Sequence, residues 1–171
     1  LILALAGLVK LTSKGPAFFT QVRVGKDGRL FNMVKLRTMH TNAENRTGPV
    51  WARKDDPRIT FLGRILRKTH TDEFPQLVNV LRGDMSLIGP RPERPYFVNQ
   101  FRRSIPLYEH RLAVRPGITG LAQVKHKYDE SIEDVKMKLS YDLTYVKSMS
   151  WRTDFKIALW TFGTITGKNV R

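Results

Sequence analysis

Asp72 and Glu73 stand side by side within RILRKTHTDEFPQLVNVLRGDMSLIGPRPER, the stretch from Arg64 to Arg94, with Arg67 and Lys68 just upstream and Arg82, Arg91 and Arg94 downstream. Two adjacent carboxylates ringed by guanidinium groups suit one chemistry well: a metal-bound diphosphate is held while one carboxylate acts on phosphorus. The arginines would grip phosphate oxygens bidentately. A carboxylate can attack to give a covalent acyl phosphate, which splits one hard displacement into two. A plainer reading needs no substrate, because Asp72 could cap a helix and Glu73 favour its dipole. Taken alone, an Asp-Glu pair usually means the plainer thing; the basic surroundings argue for the chemistry.

The elements that must position these groups are legible in outline. Asp72 and Glu73 open an amphipathic run in which Leu77, Val78 and Leu81 share a face, Pro75 is tolerated in the first turn and Gly83 ends the helix. Phe18 to Val24 and Leu30 to Arg37 read as strands around GKDG, with Asp27-Gly28 favouring a tight hairpin turn and Val22 and Val24 alternating with polar neighbours. At that period Lys35 and Arg37 point to one face, toward phosphate or toward solvent. From His40 to Asp56 the composition turns polar, with TNAENRTGP as a loop. Ile59, Leu62, Ile65 and Leu66 trace a helical face beside Arg58, Arg64, Arg67 and Lys68, a pattern shared by interfacial helices and ordinary surface helices.

GPRPERP is expected to be irregular, since its prolines deny helix and interior strand alike, and Arg91 between two prolines has a stiffened backbone that lowers the entropy lost on binding an anion. Tyr96 to Val114 reads as helical in two pieces divided at Ile105-Pro106, and RPGITG as a turn offering Arg115 to a ligand. Ile132 to Met149 fits a surface helix with Val135, Leu139, Leu143 and Val146 inward. Asp154 is placed to cap a last helix, Phe155 to Thr166, and Trp151 and Trp160 resemble interface anchors or core aromatics. No internal repeat, low-complexity tract or second domain is visible. The four histidines are scattered, and although His70, Asp72 and Glu73 are close in sequence, the acidic, phosphate-handling context suits Mg²⁺ better than a transition metal.

Thirty Lys plus Arg against fifteen Asp plus Glu leave a net charge of +15 in 171 residues, which calls for an anionic partner: nucleic acid, an anionic membrane face or phosphorylated substrates. The absence of cysteine removes disulfides, thiolate metal sites and a cysteine nucleophile. LILALAGLV, nine residues at the start, has no Met, basic n-region or cleavage site. As a helix it reaches only about 13 to 14 Å, against a hydrocarbon core of roughly 30 Å.

DEFPQLVNVLRGDMSLIGPRP resembles the signature of the bacterial sugar transferase family, the monotopic polyprenyl-phosphate phosphoglycosyl transferases, whose pattern reads DELPQLxNVLxGDMSLxGPRP. The likeness continues upstream through DPRITFLGRILRKT at 56 to 69 and GPAFFTQVRVGKDGRLFNMVKLRTM at 15 to 39, and downstream in RPGITGLAQV at 115 to 124 and YDLTYVKSMSWRTDFKIALWTFGTI at 141 to 165, so it covers nearly the whole chain. The resemblance implies a small α/β fold: a monotopic, membrane-associated domain of interfacial amphipathic helices around a β-hairpin, with residues 1–14 as the tail of a truncated re-entrant membrane helix and residues 15–171 as the catalytic domain.

It further implies transfer of a sugar 1-phosphate from a UDP-sugar to undecaprenyl phosphate with release of UMP, at the cytoplasmic face of a bacterial inner membrane, to begin a surface glycan. Asp72 would be the nucleophile and Glu73 the Mg²⁺ ligand. Arg67, Arg91, Arg115, Lys35 and Arg37 would bind substrate phosphates. The expected partners are the UDP-sugar, undecaprenyl phosphate and membrane lipids, with a homodimer left open. After Gln123 many members continue with Asn-Gly-Arg where this chain has Lys125, His126 and Lys127, so the sugar is not identified.

Two rival classes share the +15 charge. A nucleic-acid module is unsupported by any zinc-ligand pattern, RNP motif or basic strip with stacked aromatics. A non-catalytic domain docked on anionic membranes is separated from the enzyme by UMP release.

Overall fold

The opening run has leucine, isoleucine or alanine at nearly every position, helix formers with no side chain competing for the backbone, and it winds into α1 (Ile2–Thr12). The hydroxyls of Thr12 and Ser13 donate to the last-turn carbonyls of Leu8 and Val9, at 2.7 and 3.1 Å. Strands β1 (Phe18–Val24) and β2 (Leu30–Leu36) then pair as the expected hairpin. Asp27 and Gly28 make its turn with φ of 54° and 78°, the left-handed pair that a tight hairpin demands. The period-two alternation is weaker than the sequence suggests, because Val24 is buried while Val22 is exposed.

The computed structural model describes residues 1–43, 48, 50, 56–126 and 131–165. Most of the polar loop expected between His40 and Asp56, together with Lys127 and Thr166, lies outside them. The chain divides into two compact units, Leu1–Gln21 with Met33–Val78 and Val22–Asn32 with Asn79–Arg171, so the division runs through the hairpin.

In the first unit α2 (Phe61–Lys68) packs beside α1, and Ala6, Val9, Leu36 and Leu66 form the core with Leu5, Ala17 and Leu62 around it. Each fully buried Val or Leu side chain is worth roughly 1.5 to 3 kcal/mol. Thr60 caps α2, its hydroxyl accepting from the Gly63 amide at 3.0 Å. Of the expected face, Leu62 and Leu66 turn inward and Ile65 is exposed.

The run beginning at Thr71 departs from the expected single helix. Residues Thr71–Gln76 form a 3₁₀ turn, and only then does α3 (Leu77–Leu81) begin. The expected apolar face is turned outward, with Leu81 88% exposed, while Asn79 is fully buried. The reason is polar. Asn79 Nδ2 donates to the Asn32 carbonyl at 2.8 Å and to Asp84 Oδ2 at 3.2 Å, and the Asn79 carbonyl accepts from the amides of Asp84 and Met85. One buried amide thus closes the turn that follows α3 at Gly83.

The second unit contains a sheet that the sequence reading missed. Strand β3 (Ser86–Ile88) runs parallel to β4 (Gly117–Thr119), within the segment expected to be only a turn, with Ser86 opposite Gly117 and Ile88 opposite Thr119. Parallel strands need a long crossover, supplied here by α4 (Pro95–Ser104) and a 3₁₀ turn, Tyr108–Ala113, in the two pieces expected. Gly117 has no room for a side chain, since a Cβ there would lie 2.1 Å from the Gly89 nitrogen. Phe97, Phe101 and Tyr108 pack ring against ring at 6.1 and 5.3 Å.

A short helix, α5 (Leu121–Lys125), leads to α6 (Ile132–Ser148), which opens on a capping box between Ser131 and Asp134. Its buried stripe is Val135, Leu139, Asp142 and Tyr145 rather than the expected Val135, Leu139, Leu143 and Val146. The final helix, α7 (Trp151–Ile165), starts four residues before Phe155. Ser150 takes the capping role expected of Asp154, its hydroxyl accepting from the Thr153 amide at 3.3 Å. Asp154 instead accepts from the Tyr145 hydroxyl at 2.9 Å. Burial, then the bond and charge of Asp154, raise the Tyr145 pKa above the ordinary phenol value.

Among the described side chains of α7 only Ile157 is fully buried, and Trp151, Phe155, Leu159 and Phe162 form an exposed apolar stripe at spacings of four, four and three. Among the described residues no helix is long and apolar enough to cross a membrane.

Asn79 generates a test of this packing. Asn79→Ala removes the donor to Asn32 and Asp84 and should lower unfolding stability by about 1 to 3 kcal/mol for each polar group left unpaired, read from the urea midpoint. An unchanged midpoint would show that the buried amide does not hold the turn.

Candidate active site

The acidic pair lies in the first unit. After α2 the chain turns through His70, which sits in the left-handed region at φ 55°, and this reversal sets up the 3₁₀ turn. Asp72 and Glu73 are both buried there, as are Pro75 and Gln76. Their neighbours come from the end of the hairpin. Lys35, near the end of β2, places Nζ 2.8 Å from Glu73 Oε1, with both side chains largely shielded from solvent. A shielded ion pair needs both partners, since removing one leaves a charge without compensation.

Arg37 faces differently. Its guanidinium is buried and donates from Nε to the Pro16 carbonyl and from Nη2 to the Ser13 carbonyl, the latter at 2.9 Å. It therefore clamps the turn between α1 and β1, and nothing in this geometry aims it at a ligand. The next residue, Thr38, accepts from Arg67 Nε at its hydroxyl, 2.8 Å away. The Thr38 carbonyl passes so close to α2 that a Cβ on Gly63 would lie 2.1 Å from it. Only glycine lets the strand end and the helix bearing Arg67 come this near. Arg58 closes the same region, paired with buried Asp56 at 2.6 Å.

His70 is exposed, and among the described residues no group of three His, Cys, Asp or Glu side chains gathers that could hold a metal. Two adjacent carboxylates are still a fitting donor set for Mg²⁺, which takes one or two carboxylates and completes its shell with water and substrate phosphate oxygens.

Arg91 and Arg115 lie in the second unit. Arg115 is exposed just before β4, and Arg91 is half-buried in the irregular stretch 89–94. That stretch has no repeating structure, yet Pro90 accepts from the Gly117 amide, Pro92 from Arg23 Nη1 and Glu93 from the Val24 amide, each at 2.9 Å. The positions after Gln123 have local partners. Lys125 Nζ sits 4.5 Å from the Trp160 ring centre, and His126 Nε2 lies 3.0 Å from Asp134 Oδ1.

Sequence reasoning missed a buried pair in the second unit, Arg111 with Asp142, whose atoms approach to 2.8 Å. Burial works against the charge on Arg111, but Asp142, Tyr108 and Glu93 together outweigh it and raise the guanidinium pKa. Burial pushes the Asp142 carboxyl up, opposed by Arg111. The available signal was a carboxylate three residues after Leu139, at a position that helical spacing places on the inward face.

A sequence model described as bacterial sugar transferase matches residues 1–168. The UDP-N-acetylgalactosamine-undecaprenyl-phosphate N-acetylgalactosaminephosphotransferase of Aeromonas hydrophila is 48% identical over 172 residues, covering all of this chain and 40% of that protein. A UDP-glucose:undecaprenyl-phosphate glucose-1-phosphate transferase of Caulobacter vibrioides is 44% identical, covering 94% of this chain and 61% of its own length. A putative undecaprenyl-phosphate N-acetylgalactosaminyl 1-phosphate transferase of Bacillus subtilis is 54% identical over 105 residues, 61% of this chain and 58% of that protein. The chain thus spans between 40% and 61% of the length of these curated relatives.

The Lys35–Glu73 pair generates its own test. Lys35→Met leaves the Glu73 carboxylate without this partner and should cost about 3 kcal/mol or more. Adding Glu73→Gln to that variant should restore part of the loss, because the uncompensated charge is gone. Urea midpoints of the two variants make the comparison, and a double variant less stable than the single one would contradict the pairing.

Proposed function

The chain belongs to the bacterial sugar transferase family, and on that premise we propose that it transfers a sugar 1-phosphate from a UDP-sugar to undecaprenyl phosphate and releases UMP. The observation that carries this reading is the pair of adjacent buried carboxylates, Asp72 and Glu73, on one 3₁₀ turn with Lys35 against Glu73. The printed names of the relatives support the reaction class. They differ in the sugar, N-acetylgalactosamine in one and glucose in another.

In this mechanism an Asp72 carboxylate oxygen attacks the β-phosphorus of the UDP-sugar. The new bond is the O–P bond of an aspartyl acyl phosphate, the bond broken is the one from that phosphorus to the bridging oxygen, and UMP leaves with the electron pair. An oxygen of undecaprenyl phosphate then attacks the same phosphorus, and the Asp72 carboxylate is regenerated. Lys35 holds the Glu73 carboxylate in place beside the nucleophile. Arg67 contributes positive charge for the phosphate oxygens, while Arg37 supports the turn that precedes the hairpin. Arg91 and Arg115 enter as phosphate ligands on the strength of the GPRP and RPGITG segments. Glu73 is the residue that would hold Mg²⁺, whose charge would offset that of the diphosphate.

Membrane attachment belongs to the same proposal. α1 has 11 residues, about 16 Å of helix, too short for a hydrocarbon core of roughly 30 Å. Leu3, Leu8 and Leu11 are nonetheless exposed on it, and α7 carries its own exposed apolar stripe. Apolar faces of this kind lie in a membrane interface when basic charge surrounds them. The protein should therefore sediment with membranes and leave them only in detergent. Recovery in the supernatant at low salt, without detergent, would refute the attachment.

The reaction itself is tested by mixing purified protein with a panel of UDP-sugars and Mg²⁺ and measuring intact mass before any lipid acceptor is added. Wild type should gain one sugar phosphate with its preferred donor and release UMP. Asp72→Asn should keep its fold and gain nothing, whereas Glu73→Gln should react slowly and recover partly in excess Mg²⁺. Pure helix caps would behave otherwise, losing about 0.5 to 2 kcal/mol of stability and none of the chemistry. An adduct that forms normally on Asp72→Asn would mean that the nucleophile is another residue.

A further inference from the structure

The buried Arg111–Asp142 pair does more than fill the second unit. Arg111 Nε donates to Asp142 Oδ2 at 2.8 Å, Nη1 to the Tyr108 hydroxyl at 3.1 Å, and Nη2 both approaches Asp142 Oδ2 at 2.8 Å and donates to the Arg91 carbonyl at 2.8 Å. The guanidinium plane is thus fixed from three sides, with one bond left for the backbone of Arg91. Burial pushes the Tyr108 hydroxyl up to about 12 despite the nearby Arg111, so it stays protonated beside the pair. We infer that Arg111, oriented by Asp142, is a positioning residue that sets the backbone of Arg91 and so preorganises the stem from which the Arg91 side chain binds phosphate; this rests on the reading of Arg91 as a phosphate ligand.

The argument is conformational. Pro90 and Pro92 have fixed φ, and a residue before proline is confined to extended backbone. The remaining freedom at Arg91 is its own φ and the swing of its peptide plane toward Pro92. A bond to the Arg91 carbonyl removes that swing. The flanking carbonyls of Pro90, Pro92 and Glu93 are already taken by Gly117, Arg23 and Val24, so Arg111 completes a run of four consecutive anchored carbonyls. A buried ion pair is a poor means of adding stability, since apolar residues of similar volume do as well or better. Its use here is explained by the Arg91 carbonyl that one of its N–H groups holds. Preorganising a ligand-binding arginine in this way lowers the ordering cost of binding.

The test is a double-mutant cycle on the intact protein in detergent, with UMP release as readout and amide exchange of residues 86–97 measured alongside. Arg111→Lys keeps a positive charge for Asp142 and loses the fork that reaches the Arg91 carbonyl. It should lower kcat/KM for the UDP-sugar about tenfold, speed exchange in that segment, and change kcat/KM less than about twofold when Arg91 is already alanine. The same factor in both backgrounds, or unchanged exchange in the segment, would overturn the inference. If Arg111→Lys does not fold, the pair Arg111→Met with Asp142→Leu repeats the cycle without leaving a buried charge. A wild-type protein that releases no UMP from any donor overturns the transferase reading itself, and the exchange comparison then decides the backbone tether by itself.

Discussion

Burying a carboxylate is expensive unless a cation and hydrogen bonds accompany it into the interior, and in this chain two carboxylates are buried next to each other. Much of the first unit follows from that constraint. Lys35 reaches Glu73 because β2 ends where the 3₁₀ turn begins its approach, and that turn exists because His70 reverses the chain after α2. α2 in turn sits close against the strand end through Gly63 and Thr38. Arg37, pinned to carbonyls of the turn between α1 and β1, keeps those elements in the arrangement that delivers Lys35. Had Lys35 been left in solvent, the acidic pair would be driven outward, and the chemistry proposed for Asp72 would lose the dry surroundings that strengthen electrostatic effects.

The second unit applies the same economy to backbone. A stretch with two prolines has few N–H groups to offer and cannot form a ladder, so its carbonyls must find donors elsewhere. Strand β4, the hairpin end and two arginines supply them. The parallel pair β3 and β4 is short but brings the Gly117 amide to Pro90, and the crossover between the strands carries Arg111. Asp142 reaches Arg111 from α6, and Tyr145, one turn further along that helix, joins Asp154 to the same fold. Charge here serves as scaffolding for a loop rather than as surface decoration.

Polar residues inside and apolar residues outside are two sides of one allocation. Gln76 and Asn79 take interior places that Leu77, Val78 and Leu81 would fill in an ordinary amphipathic helix. Those apolar side chains, with the outer faces of α1 and α7, are exposed. This exposed apolar surface, on a chain of net charge +15, is what the proposed membrane attachment rests on.

Local features were legible from the sequence because their causes are local. The Asp27-Gly28 turn, the break at Ile105-Pro106, the irregular proline stretch and the basic face of α2 each depend on a few neighbouring residues, and the family signature identified the acidic pair. Periodicity misled where a distant partner decided the outcome: Asn79 is buried for the sake of Asn32, and Asp142 for Arg111, 31 residues away. The strands β3 and β4 escaped notice because three residues carry no period and their pairing spans a crossover. The residue types that could do phosphoryl chemistry were written in the chain itself. Which of its cations meets a carboxylate and which holds a backbone carbonyl was decided only in three dimensions, since a side chain's partner is chosen by what the fold brings within about 3 Å of it.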